Sequence, residues 1–225
     1  MLIDHIGAKL LPQYAILRLL GRLAFPIFAF CIAEGCRYTR HKGRHLALIF
    51  GFGAVWEGIL IWYYGSWEGN IFLTFSLSVL LIYLWQWIKK QWCIRAWYVT
   101  GALLFLYAGV LVGTFFLVKY VHVEYGIFGV LSAVAVACFD YDDGKAPHFM
   151  RCADHLPVKL LMLAAMLVLL ALPSLGKTVQ IYALLAIIPL AFYNGTAGNR
   201  RLKYAFYIFY PVHLVIIGLI REWMY

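Results

Sequence analysis

The chain falls into nine apolar stretches separated by short polar breaks: residues 1–11, 14–36, 46–64, 71–88, 96–118, 125–139, 158–175, 179–193 and 205–220. None carries the period-two alternation of a barrel strand, and lipid offers no water to satisfy an open sheet edge, so each is expected to be a helix. One crossing of the hydrocarbon takes about 20 apolar residues. The pattern predicts an all-α, polytopic membrane bundle of about nine transmembrane segments, organised as one domain over residues 1–225. The first stretch is only about half a span, so the chain is expected to start in mid-membrane or to lack preceding residues. It has neither the basic leader nor the small-residue cleavage site of a secretory signal.

Composition agrees. Hydrophobic residues make up 64% of the chain and charged ones 13%, against about 25% charged in soluble domains. A water-soluble fold and a disordered chain are thereby excluded. Five cysteines without a CxxC pair predict reduced thiols and no disulfide framework. The net charge of +9 would suggest nucleic acid in a soluble protein; here it reads as topology, with no nucleic-acid partner. Breaks at 37–45, 89–95, 140–157 and 194–204 hold twelve Lys and Arg, whereas the alternate breaks and the tail hold three. The positive-inside rule puts the first set in the cytoplasm, with the amino terminus inside and the carboxyl terminus outside. Trp62, Trp67, Trp85, Trp87, Trp92 and Trp97 sit near span ends as interfacial anchors.

Against this background the polar residues within spans stand out, because one charge at mid-bilayer costs about 2.5 to 3.5 kcal/mol. Asp4, His5, Arg18, Arg22, Glu34, Glu57 and His213 lie in spans; Asn70, Thr74, Glu124, Asn194 and Tyr210 lie at or near their ends. If the first two helices turn at Pro12, then Asp4, His5, Arg18 and Arg22 all fall about 9 to 15 Å below the turn, and His213 comes to mid-depth in the last helix. Arg18 and Arg22 share a face at i and i+4. A histidine so placed can act as general base or transient acyl acceptor, and an arginine can hold an oxyanion. Asp4 and His5 point about 100° apart on a helix, so Asp4 has Arg18 and Arg22 as alternative partners. The plainer reading is an ion-paired hairpin without chemistry.

Glu34 is followed by Arg37, Arg40, Lys42 and Arg44, and Arg200, Arg201 and Lys203 form a second basic group. Such clusters can bind the phosphates of a cytosolic cofactor such as coenzyme A, or they are topology signals facing headgroups. No metal site is expected: His148, Cys152, Asp154 and His155 fit no standard spacing, and the calcium-loop start at Asp140, Asp142, Asp143 and Gly144 has Arg151 at its twelfth position. Asn194-Gly195-Thr196 spells a glycosylation sequon on the expected inner side.

Several dispersed motifs stand in order along the chain: IDHIG at 3–7, GRLAFPIFAF at 21–30, EG at 34–35 with Thr39, Asn70 with Thr74, EYGIFGVL at 124–131, YNG at 193–195 and KYAFYIFYPVHL at 203–214. Their order resembles that of the TraX family of membrane acetyltransferases. The likeness runs nearly end to end. It implies transfer of an acetyl group from cytosolic acetyl-CoA to a peptide amine, sugar or lipid acceptor at or across a bacterial inner membrane, the named activity of the family being acetylation of conjugative pilin. His5 is then the first choice for the catalytic histidine and His213 the second, with Asp4 and Arg22 orienting them. Arg18, Asn70, Thr74, Glu124 and Tyr210 would line the substrate tunnel. Glu34, Arg37, Arg40, Lys42, Arg44, Asn194, Arg200 and Lys203 would face the cofactor. This chain has Glu124-Tyr125-Gly126 where the family tends to have DYG, and a less basic stretch after YNG. Membrane lipids and a second copy are further expected partners. The competing class is a transporter or channel whose buried charges line a permeation path, followed by an inactive assembly partner.

Overall fold

The computed structural model describes residues 1–67, 69–121, 123–140, 148–174, 179–196 and 202–224. Among these, all nine apolar stretches are helical and no strand occurs. In chain order the helices are α1 (Leu2–Lys9), α2 (Ala15–Gly21), α3 (Ala24–Tyr38), α4 (Lys42–Tyr64), α5 (Ile71–Cys93), α6 (Trp97–Val121), α7 (Gly126–Val136), α8 (His148–Ala153), α9 (Leu156–Ala171), α10 (Ile187–Ala191) and α11 (Leu202–Met224), with 3-10 turns at Leu172–Ser174 and Val179–Ala186. Among the described residues, four helices are long and apolar enough to cross a membrane: Ala15–Tyr38 taken through its break, Lys42–Tyr63, Ile71–Cys93 and Trp97–Val121. These mark a membrane protein. The nine apolar stretches are thus helices of unequal length, and about nine full spans are not confirmed; α7, at 11 residues, reaches about 16 Å, half of a hydrocarbon core.

The chain forms two compact units, one comprising Met1–Phe28 with Ala171–Tyr225 and the other Ala29–Leu170, the boundary falling inside α3. In the first unit α1 and α2 fold into a tight hairpin. Glycine makes this possible: a Cβ on Gly7 would stand 2.7 Å from the Leu17 Cβ, and one on Gly21 would collide with Asp4. Helix α2 stops at Arg22 because Pro26 has no N–H to give the Arg22 carbonyl and its ring crowds that oxygen. Helices α1 and α11 also pack together.

The second unit is organised on α5, which packs against α4, α6 and α7. Helices α4 and α5 form an antiparallel pair held at both ends. Near their connection Asn70 caps α5, its Oδ1 accepting from the Phe72 and Leu73 amides at 3.0 and 3.2 Å. Its Nδ2 donates to Glu57 Oε2 at 2.7 Å and to the Gly53 carbonyl at 3.0 Å, and the Gly69 amide donates to Glu57 Oε1 at 3.0 Å. The buried Glu57 carboxylate thus has partners on both oxygens. At the other end His45 Nδ1 meets Tyr83 Oη at 2.6 Å. Helix α4 ends at Gly65, whose φ of 70° is the left-handed conformation that favours glycine.

Helix α7 runs alongside α5 and takes its donors from it. Thr74 Oγ1 donates to the Glu124 carbonyl (2.7 Å), Ser78 Oγ to that of Val130 (2.8 Å) and Trp85 Nε1 to that of Cys138 (2.9 Å). Lys89 Nζ donates to the carbonyls of Ala137, Cys138 and Asp140, closing the carboxyl end of α7. The entry to α7 is a turn in which Tyr125 and Gly126 both have positive φ, 62° and 61°. The EYG motif is therefore the sequence of that turn, with glycine where it relieves the backbone. Leu81, Val118, Val123 and Val130 form the apolar cluster beneath it.

The cap and carboxylate around Asn70 act as one group. Asn70→Ala removes the α5 cap, about 1 kcal/mol, and strips a donor from a buried carboxylate, about 1 to 3 kcal/mol more. We expect a lower unfolding temperature in detergent for Asn70→Ala and for Glu57→Ala, and a double variant less destabilised than the sum of the two.

Candidate functional site

In the first unit, the α1–α2 hairpin turns Asp4 toward the two arginines of α2 and its end. Arg18 Nη1 donates to Asp4 Oδ1 at 2.9 Å, and Arg22 Nη2 pairs with Asp4 Oδ2. Arg22 Nη1 also donates to Gln180 Oε1 at 3.2 Å. Asp4 is buried, so these bonds offset the cost of a carboxylate away from water. Of the two pairings open to Asp4 from the sequence, the structure has the one with arginine. The group Asp4, Arg18 and Arg22 carries one net positive charge.

His5, one residue on and turned to another face of α1, meets α11 instead. Its ring centroid lies 5.3 Å from that of His213 and 6.5 Å from that of Tyr210, and the Tyr210 and His213 rings are 5.6 Å apart. Both α11 side chains are buried. His213 Nδ1 lies 2.7 Å from the Phe209 carbonyl. A carbonyl only accepts, so Nδ1 carries the proton and Nε2 holds the lone pair. That Nε2 is buried and has no hydrogen-bond partner among the described residues. A basic nitrogen with a fixed tautomer, beside a second imidazole, is a group able to take a proton from a nucleophile.

The basic cluster of the second unit has a different character. Glu34 takes the Lys159 ammonium at 2.5 Å, Lys159 also meets Asp140 at 2.6 Å, and Arg37 joins Asp154 at 2.9 Å and Asp140 at 3.5 Å. Burial pushes the Asp140 carboxyl above its ordinary range, and the neighbouring Lys159 ammonium draws it back. Glu34 and Arg37, expected at a cofactor, are thus engaged in a network that ties α3 to α9 and to the segment after α7. Arg40, Lys42 and Arg44 are exposed around the start of α4. Asn194 folds onto Thr196, accepting from its amide at 3.1 Å and its hydroxyl at 2.7 Å. Asn70 and Thr74, expected along a tunnel, hold helices α4, α5 and α7 as described. Arg200, the side chains of Lys203 and His148, and residues 141–147 of the weighed calcium loop lie outside the described residues.

Sequence reasoning missed Gln180, Lys159 and Lys89, and weighed Asp140 only as the start of a calcium loop. The signal for two of them was present: Gln180 and Lys159 each stand in an apolar stretch, where a polar side chain asks for a partner. Lys89 counted as a loop residue, yet α5 continues past it and buries it; nothing local distinguishes it from Lys90.

Comparison with known proteins supplies the family. The TraX protein family profile matches residues 1–221. A curated relative, the probable fimbrial assembly protein FimC, serogroup H1, of Dichelobacter nodosus, is 26% identical over 238 residues, covering 96% of this chain and 89% of its own length. No solved structure matches. With its motifs spread from α1 to α11 and the family profile spanning nearly its whole length, the chain belongs to the TraX family.

Proposed function

We propose that this protein is a membrane-embedded acetyltransferase that moves an acetyl group from cytosolic acetyl-CoA to an amine of a pilus or fimbrial subunit. The observation that carries the reading is the buried, unshared lone pair on His213 Nε2, set beside His5, the residue that follows the arginine-paired Asp4 on α1. The relative named for fimbrial assembly supports the acceptor class. In this reaction the acceptor nitrogen attacks the thioester carbonyl and a C–N bond forms. The amine proton passes to His213 Nε2, the tetrahedral oxyanion collapses, and the C–S bond breaks to release the coenzyme A thiolate, which His213 reprotonates. His5 sits against the same ring, where it can hold the acceptor amine or pass the proton on. The positive excess of Arg18 and Arg22 over Asp4 favours the oxyanion. The exposed Arg40 and Arg44 are assigned to the donor's phosphates, since Arg37 is already held by two carboxylates.

The orientation follows the charge pattern. The turns at 39–41 and 94–96 face the cytoplasm of a bacterial inner membrane and the turn at 65–70 faces away, with the amino terminus inside and the carboxyl terminus outside.

Two measurements bear on this reading. In reconstituted protein given acetyl-CoA and amine-bearing pilin peptides, His213→Ala should lower the transfer rate by about 10² to 10⁴, the usual worth of a general base; an unchanged rate would remove His213 from the chemistry, and solute flux without consumption of acetyl-CoA would point to a transporter. His5→Ala in the same assay separates the two imidazoles. In a background with the five native cysteines replaced by serine, a membrane-impermeant thiol reagent added to spheroplasts should label Ser66→Cys and spare Arg40→Cys; the opposite pattern inverts the topology.

A further inference from the structure

Between its two pins the α4–α5 pair does not close. A cleft of about 370 Å3 runs along it, lined by Gly43, Leu46, Ala47 and Phe50 of α4 and by Leu77 and Leu80 of α5. The α4 residues recur at i, i+3, i+4 and i+7, one face of a helix, and rise over about 10 Å. Small side chains at 43 and 47 are what leave the space. The remaining lining residue, Ser76, spends its hydroxyl on the Phe72 carbonyl at 2.7 Å, so the wall presents hydrocarbon throughout.

The end of the cleft is of another kind. Tyr83 stands one turn beyond Leu80, held by His45, and the Lys42 ammonium lies 5.4 Å from its ring centroid. Between Glu34 and Glu57 the sequence has no acidic residue, while Arg37, Arg40, Lys42 and Arg44 all lie there. An apolar slot that opens under a cation, on a helix bearing exposed positive charge at the same end, is complementary to a molecule with a long hydrocarbon tail and an anionic head. The pantetheine arm of coenzyme A does not meet this description, because its amides would find no partners on these walls.

We infer that the α4–α5 cleft is a site for one acyl chain of an anionic glycerophospholipid, with the lipid phosphate against Lys42. Ordinary boundary lipid contacts any apolar helix surface without regard to headgroup; this site selects both parts of the molecule. It is independent of the acetyl-transfer chemistry, since neither histidine takes part.

Native mass spectrometry of the full chain released from a neutral detergent tests the site, with dioleoyl phosphatidylglycerol and dioleoyl phosphatidylcholine supplied at equal concentration. One phosphatidylglycerol should be retained at least tenfold over phosphatidylcholine. Ala47→Trp, which fills the slot, should lower that retention at least tenfold while the lipid-free unfolding temperature stays at the wild-type value; Leu80→Trp gives the same reading from α5 should the first variant not fold. Lys42→Ala should erase the headgroup preference. Equal retention of the two lipids by the wild-type chain would overturn the proposal, as would undiminished retention in both tryptophan variants. Retention of glycerol phosphate as strongly as of the whole lipid would show a headgroup site alone, and loss of a dimer in the tryptophan variants would show a second copy in the cleft; either result rejects the acyl-chain site.

Discussion

A buried polar group in hydrocarbon must find its partner inside the protein, and nearly every distinctive residue of this chain answers to that requirement. Asp4 has two guanidinium groups, Glu57 an amide and a backbone N–H, Glu34 an ammonium. These pairings decide which helices lie together, because an apolar surface gains little by meeting another apolar surface when lipid is the alternative. Packing through glycine then brings the backbones close enough for short side chains to reach, as at Gly21 beneath Asp4 and Gly53 beneath α5. The charges and the glycines are two halves of one device.

His213 departs from that rule at the candidate site. Its Nδ1 is satisfied within its own helix while Nε2 is left buried without a partner among the described residues. Among the described residues most buried acceptors are met by a hydroxyl, an amide or a cation, Gln86 Oε1 and Asp140 Oδ2 being further exceptions. A site that is to bind a proton during a reaction has to keep a lone pair available beforehand, and the cost of doing so in an apolar setting is carried by the rest of the fold.

Much of this architecture was legible in the sequence. The nine apolar stretches gave the helices, and the depth of Asp4, Arg18 and Arg22 below the turn at Pro12 gave their meeting, because a helix converts sequence distance into height at a fixed rate. The pairing of His5 with His213 was legible only as shared depth, since the bundle's rotation decides which faces meet. What could not be read was the interruption of regular helix. Pro26 breaks the second stretch at Arg22, and the 125–139 stretch spends its first residues on a left-handed turn and its last on the turns that Lys89 closes, so composition alone overstates how far it reaches. The engagement of Glu34 and Arg37 also escaped, because Lys159 and Asp140, which occupy them, are more than a hundred residues away.

The dependence of α7 on α5 bears on how the protein enters the bilayer. A helix of 11 residues is too short to be threaded into lipid as a free-standing span, and its carbonyl ends would meet hydrocarbon unpaired. Its donors wait on α5, with α6 made in between. During biogenesis the ribosome therefore has to finish α6 and hand over a seated α5 before the EYG turn arrives, so that α7 slides in against protein and never has to face lipid alone.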